Sequence, residues 1–208
     1  MQHSIAILGA VILPTFESLE TYTPEEFLLF CRQQEEQGDL HRYELLEGRI
    51  LMNPPAGWPH GSIENNIAFA LTGFVRSKGL GRVFGSSQGY RLPSADVLEP
   101  DVGFVFTARL EAMPKPVHGE FLRVVPDFVV EILSDKTRSR DLDQKRHIYA
   151  KNGVREYWIV DSRNRRVTIL VAEDGSYRED AIVEAGGTAV SKALAGFEMA
   201  FADVFDGV

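Results

Sequence analysis

VVPDFVVEILSDKTRSRDLDQKRHIYAKNGVREYWIVD, residues 124–161, reads as a buried strand, a polar turn, an amphipathic helix and a second buried strand. That order is a βαβ crossover between parallel strands, and the crossover is expected to be right-handed. Most of the stretch is ordinary core. The exception is Glu131, a carboxylate inside the apolar run 128–133. Left unpaired there, its charge would cost several kcal/mol, so another group must compensate it. Side chains alternate across a strand, which puts Asp127, Val129, Glu131 and Leu133 on one face. Asp127 stands at the strand's mouth, where it can cap or meet solvent. On the helix, Leu142, Lys145 and Tyr149 fall at i, i+3 and i+7, so a lysine lies on the apolar stripe. Two readings are open for it: a surface pair with Asp141, or an ammonium reaching Glu131.

Working outward, the chain of 208 residues suits one well-filled core, with residues 1–22 as an N-terminal extension and 23–208 as a single domain. A net charge of −8 argues against a protein that coats nucleic acid by bulk electrostatics, so any such contact must be local. The lone Cys31 excludes an internal disulfide and a Cys-rich zinc site, and fits a cytoplasmic location. The apolar run 5–13 is too short to span a bilayer, carries no signal-peptide pattern, and reads as a strand or an ill-ordered start.

Thr23-Pro24-Glu25-Glu26 opens a helix through about Gln34, stopped by Gly38. Residues 42–52 flank Glu47-Gly48 as a hairpin, with Glu44 in its first strand. After a proline-rich loop, Ile63, Ile67, Leu71 and Phe74 mark a helix over about 61–77. Gly79, Gly81 and Gly85 follow a helix and precede a strand, the reverse of a dinucleotide fingerprint, and are read as turn residues. Strands are expected at 82–84, 89–92 and 102–106, building the first half of the sheet, and residues 110–120 form a surface loop. Strand 157–160 pairs with 166–171, Asp174-Gly175 turns the chain, and the tail ends in a last strand and a short helix.

Asp101, placed after Pro100 at the start of a buried strand, gains meaning in combination with Glu131 and Lys145. Two carboxylates and water suit a hard cation such as Mg²⁺ or Mn²⁺, with Mg–O distances of about 2.0–2.1 Å. Such an ion can polarise a phosphodiester while a nearby lysine steadies the charge that develops. Lys136, Arg138, Arg140, Lys145, Arg146 and Lys151 outnumber Asp135, Asp141 and Asp143 around it, giving a local basic helix face for DNA.

These residues resemble a known pattern. Pro100-Asp101 followed by Glu131 on the next core strand is similar to the PD-(D/E)XK nucleases. The motifs YELLEG (43–48), PHG (59–61), EPDV (99–102), PDFVVEILS (126–134), residues 141–149 and GVREYW (153–158) resemble the Uma family of restriction-endonuclease-like proteins. The resemblance implies an α/β fold with a mixed sheet in a restriction-endonuclease-like αβββαβ core, an N-terminal helix and added hairpins. It implies metal-dependent cleavage of DNA, with Asp101 and Glu131 as the metal ligands. The pattern's lysine, two residues after the glutamate, is Leu133 here, and Lys145 is the replacement offered from the helix. Glu44 joins Asp101, Glu131 and Lys145 as a catalytic candidate, with His60, Asp127 and Tyr149 as accessory ones. A homodimer fits an enzyme that cuts both strands. Two other readings stay open: a non-catalytic module that binds nucleic acid or protein, and a purely structural Glu131–Lys145 pair.

Overall fold

The computed structural model describes residues 16–39, 41–53, 55–134 and 138–208. The run 5–13, Pro54, Asp135 and Lys136 lie outside the described residues. Helix α1 (Pro24–Glu36) is capped by Thr23, whose hydroxyl accepts from the Glu26 amide while the Glu26 carboxylate accepts from the Thr23 amide. β1 (Arg42–Leu46) and β2 (Arg49–Asn53) form the expected hairpin, because Glu47 and Gly48 both take positive φ (51° and 79°), as a two-residue turn requires. Helix α2 (His60–Lys78) buries Ile63, Ile67, Leu71 and Val75. There follow β3 (Gly81–Gly85), β4 (Tyr90–Arg91), β5 (Val97–Leu98), β6 (Val102–Phe106), α3 (Thr107–Ala112) and β7 (Phe128–Ile132). A π-helical turn, Arg140–Lys145, runs directly into α4 (Arg146–Lys151) and then β8 (Glu156–Asp161). β9 (Arg166–Glu173), β10 (Ser176–Val183), β11 (Thr188–Val190), β12 (Glu198–Ala200) and α5 (Phe201–Val204) complete the chain.

The main sheet has the order β10-β9-β8-β7-β6-β3, with β7 and β8 parallel and its other neighbours antiparallel. Within it, α2-β3-β6-β7-α4-β8 is the αβββαβ order expected from the sequence. Alternation along β7 sends Phe128, Val130 and Ile132 into a core with α2 and the C-terminal segment. Val129 goes instead into a second core with Ile148, Tyr149 and Tyr157. Glu131 belongs to that second face by its place in the alternation. A smaller sheet, β2-β1-β5-β4, packs α1 through Phe27, Leu45, Ile50 and Val97.

Several expectations are corrected. Strand β4 belongs to the smaller sheet, paired with the two-residue β5, and not to the main one. Gly81 is no turn residue: it lies in β3 against β6, and a Cβ there would stand 2.1 Å from the Val105 carbonyl oxygen. Gly85 likewise ends β3, while Gly79, at φ 63°, does close α2. Along α2 it is Val75 that is fully buried, with Phe74 half-buried against Phe197. The expected loop 110–120 begins inside α3. At the C-terminal end, Glu156 on β8 is fully buried and accepts from Trp158 Nε1 (2.5 Å), Ser191 Oγ (2.9 Å) and the amides of Lys192 (2.8 Å) and Ala193 (2.6 Å). That single carboxylate fastens the segment between β11 and β12 to the middle of the sheet.

Candidate active site

Three elements converge on the carboxyl end of β7. Register brings the first two together: Val102 of β6 faces Val130 of β7, so Asp101 stands one step further on, beside Glu131. The Asp101 Oδ2 accepts the Ile132 amide at 2.7 Å, which ties the start of β6 to the end of β7. The third element is the π-helical turn, which delivers Lys145 onto the same face.

Lys145 is buried, with Nζ 2.9 Å from Glu131 Oε1, 3.0 Å from Glu44 Oε1 and 3.6 Å from Asp141 Oδ1. The sequence left open whether it pairs with Asp141 or reaches Glu131, and it does both, because Asp141 is itself buried. Tyr149, one turn on, donates to the same Glu131 oxygen at 2.7 Å. Glu44 is held from the other side by the Glu99 amide (2.8 Å) and Asn53 Nδ2 (2.8 Å), and Asn53 in turn accepts from Arg140 (2.7 Å).

His60 opens α2 at the rim of this group. Its Nε2 lies 3.2 Å from Asp101 Oδ2 and its Nδ1 3.9 Å from Glu64 Oε2. Among the described residues, the ligand atoms of His60, Glu64 and Asp101 form a group of three lying within 4.8 Å of one another. Glu64 escaped the sequence reading, although its signal was present as a histidine and an acid four apart on one helix.

Electrostatics follow from burial. For Lys145, burial alone would favour the neutral amine, but Glu131, Glu44 and Asp141 outweigh it and hold the ammonium well above the ordinary lysine range. It therefore remains charged and cannot serve as a base. Burial pushes the Glu131 carboxyl upward, with Asp141, Asp101 and Glu44 adding to the rise against the pull of Lys145. Glu99 is pushed up to about 7 by burial and by Glu44. Burial also disfavours the His60 imidazolium, yet the hydrogen bond to Asp101 and the charges of Asp101 and Glu64 raise it overall. The Cys31 thiol is driven up to about 12 by burial and offers no nucleophile.

Glu131, Asp101, Lys145 and His60 line a cleft of about 570 Å³. Its walls also carry Arg42, Arg138, Arg163 and Arg165, together with the loop 55–59. Of these, Arg42 from β1 and Arg163 and Arg165 from the β8–β9 turn were not singled out by the sequence, whereas Arg138 was, as one of the helix cations. Those helix cations are largely engaged internally. Arg138 meets Asp161 (2.6 Å), Arg140 meets Asn53, Arg146 donates to the Tyr177 carbonyl (3.1 Å) and Lys151 lies 3.3 Å from Asp96. Asp127 is corrected too. It is buried at the opposite end of β7, held by Arg109 (3.0 Å), Arg155 (3.2 Å) and the Phe106 amide (2.9 Å), so it neither meets solvent nor joins the cleft.

The sequence model of one protein family matches residues 24–202, and that family is described as "Putative restriction endonuclease". The chain belongs to the Uma2 family. A crystal structure of similar fold is that of "a putative nuclease belonging to DUF820 from Anabaena variabilis ATCC 29413". It aligns with a TM-score of 0.67 at 19% identity, covering 88% of this chain and 97% of that one. No curated protein matches the chain. Uma2 membership and the shared fold agree with the αβββαβ order described above. Among the described residues, no helix is long and apolar enough to cross a membrane.

Proposed function

We propose that this Uma2 chain is a divalent-metal-dependent endonuclease that hydrolyses DNA phosphodiester bonds in the cleft over Asp101 and Glu131. One observation carries the reading. Glu99, Asp101, Glu131 and Asp141 line the cleft, and Glu131, Asp141 and the buried Glu44 share the one buried ammonium of Lys145. One of their oxygens, Glu99 Oε2, is buried and has no hydrogen-bond partner among the described residues. Burial and this crowding push the Glu131 and Glu99 carboxyls upward, and a small hard cation among them would favour their ionised forms.

Asp101 and Glu131 would hold the ion, with His60 and Glu64 flanking Asp101. When bound, such an ion polarises a phosphoryl oxygen and makes its water a better nucleophile. Lys145, permanently charged, steadies negative charge growing on the phosphate. Glu44 and Tyr149 keep that ammonium and Glu131 in place. Arg42, Arg163 and Arg165 bind flanking phosphates.

The test is cleavage of plasmid and branched DNA with Mn²⁺ or Mg²⁺, comparing wild type, Asp101→Asn and Glu131→Gln with an EDTA control. Loss of activity by at least about 100-fold in either variant is expected, since each removes a group from the transition-state environment. Equal activity in all three rejects the assignment. A second reading, a non-catalytic nucleic-acid-binding module, is favoured by Leu133, which packs into the second core where the related nucleases' pattern has lysine. It predicts no heat on titration with Mn²⁺.

A further inference from the structure

The chain has two tryptophans, and their settings are opposite: Trp158 is fully buried, whereas Trp58 is 78% exposed on the wall of the cleft. An indole is among the side chains most strongly driven out of water, and it is held in the open here by a loop of Pro55, Ala56, Gly57 and Pro59 that offers no other large apolar surface to cover it. The walls of the same cleft carry Arg42, Arg163 and Arg165, in addition to the acids of its floor. An exposed aromatic face beside arginines is how proteins take hold of a strand whose bases are free: the cations follow the phosphates and the ring stacks on a base. The size of the cleft points the same way. At about 570 Å³ it is in the range of pockets that enclose small ligands, which is room for an unpaired base. Within a duplex each base has both faces covered by its neighbours, so only an unpaired or extruded base offers a free face.

We propose that Trp58 is a base-stacking platform, and that the substrate class of this cleft is single-stranded DNA or the single-stranded flap, end or bubble of a duplex. The proposal rests on the reading that the cleft binds DNA, and it makes Trp58 a specificity residue with no part in bond breaking.

The test reads binding without cleavage. Wild-type protein in EDTA is titrated with a short oligothymidylate, with a blunt duplex and with an abasic strand of equal length, following tryptophan emission, and binding by wild type and both Trp58 variants is read from the anisotropy of the same strands carrying a fluorophore, a signal that needs no tryptophan. Trp58 is the solvent-facing reporter and Trp158 the shielded internal reference. The expected result is quenching by the oligothymidylate, much weaker quenching by the blunt duplex or the abasic strand, binding weakened about 5- to 100-fold in Trp58→Ala, and near-complete retention of binding in Trp58→Phe. Circular dichroism checks that both variants fold. The proposal is overturned if Trp58→Ala binds the oligothymidylate as tightly as wild type, or if the abasic strand binds equally well. It is also overturned if Trp58 proves shielded from acrylamide in a DNA-free dimer that Trp58→Ala dissociates. None of these outcomes depends on Asp101 or on metal, so failure here is separable from failure of the nuclease assignment.

Discussion

Replacing Lys145 with methionine keeps the length and apolar stem of the side chain and removes only its charge. In the folded protein that charge lies 2.9 Å from Glu131 and 3.0 Å from Glu44. At an effective dielectric of about 20, one such contact is worth about 6 kcal/mol before desolvation is counted. Burying the ammonium offsets much of this, and measured losses on breaking buried pairs are about 3–5 kcal/mol. That is the expected loss for Lys145→Met in metal-free buffer at neutral pH, read from urea denaturation. The pH dependence gives a sharper check. Glu131 is already pushed upward by burial, and the substitution deprives it of its main counter-charge. A carboxyl whose folded pKa lies above its unfolded value favours the folded state at low pH and loses that contribution as pH rises through the folded value. The penalty of Lys145→Met should therefore shrink between neutral pH and about pH 4–5, near the unfolded carboxylate range. Adding Glu131→Leu should cost less than the single substitution. A penalty under about 1 kcal/mol, or one that is the same at both pH values, would refute the picture of a lysine clamped by buried acids.

Gly81→Ala should cost at least about 1–3 kcal/mol by forcing β3 from β6, since its Cβ would meet the Val105 oxygen at 2.1 Å; an unchanged melting temperature would contradict that packing. Asp127→Ala should destabilise by about 3 kcal/mol, because Arg109 and Arg155 lose their shared anion, yet leave cleavage by the folded fraction intact, as an assay well below the melting temperature can show. For Asp161, burial opposes ionisation, but hydrogen bonds from Arg138 and Asn164 outweigh it and bring the carboxyl down to about 2. Its depressed value means that the advantage of wild type over Asp161→Asn is complete above about pH 4 and closes as pH falls towards 2, which acid titration of both proteins should reveal.

The parts of the fold visible in the sequence are those in which local pattern and burial agree. The runs that became β6, β7 and β8 are apolar and bounded by turn residues, and Glu47-Gly48 could scarcely be anything but a tight turn. Lys145 and Tyr149 shared a stripe, and the structure turns both onto Glu131. What stayed hidden depends on partners distant in the chain. β5 is only two residues between Asp96 and Glu99, too short for any periodicity, so the second sheet could not be seen. Asp127 was open to capping or to meeting solvent because its arginines come from α3 and from the loop after α4. The meeting of His60 with Asp101, at 3.2 Å, is likewise a product of how α2 lies against the sheet.

The buried Glu156 has a reach beyond its own contacts. The segment it rivets to β8 continues into Phe201 and Phe205, over whose rings the Arg165 guanidinium rests at 5.7 and 5.0 Å, and into Val208, whose carbonyl accepts from Arg165 at 3.1 Å. Glu156 begins the same strand that Asp161 ends, so an arginine at the mouth of the cleft is moored to a carboxylate at the strand's far end. Glu156→Gln would slacken that mooring without touching the acidic floor. Weaker binding of DNA with an undisturbed metal titration would be its signature, and a loss confined to metal binding would mean that the two ends of β8 are not mechanically joined.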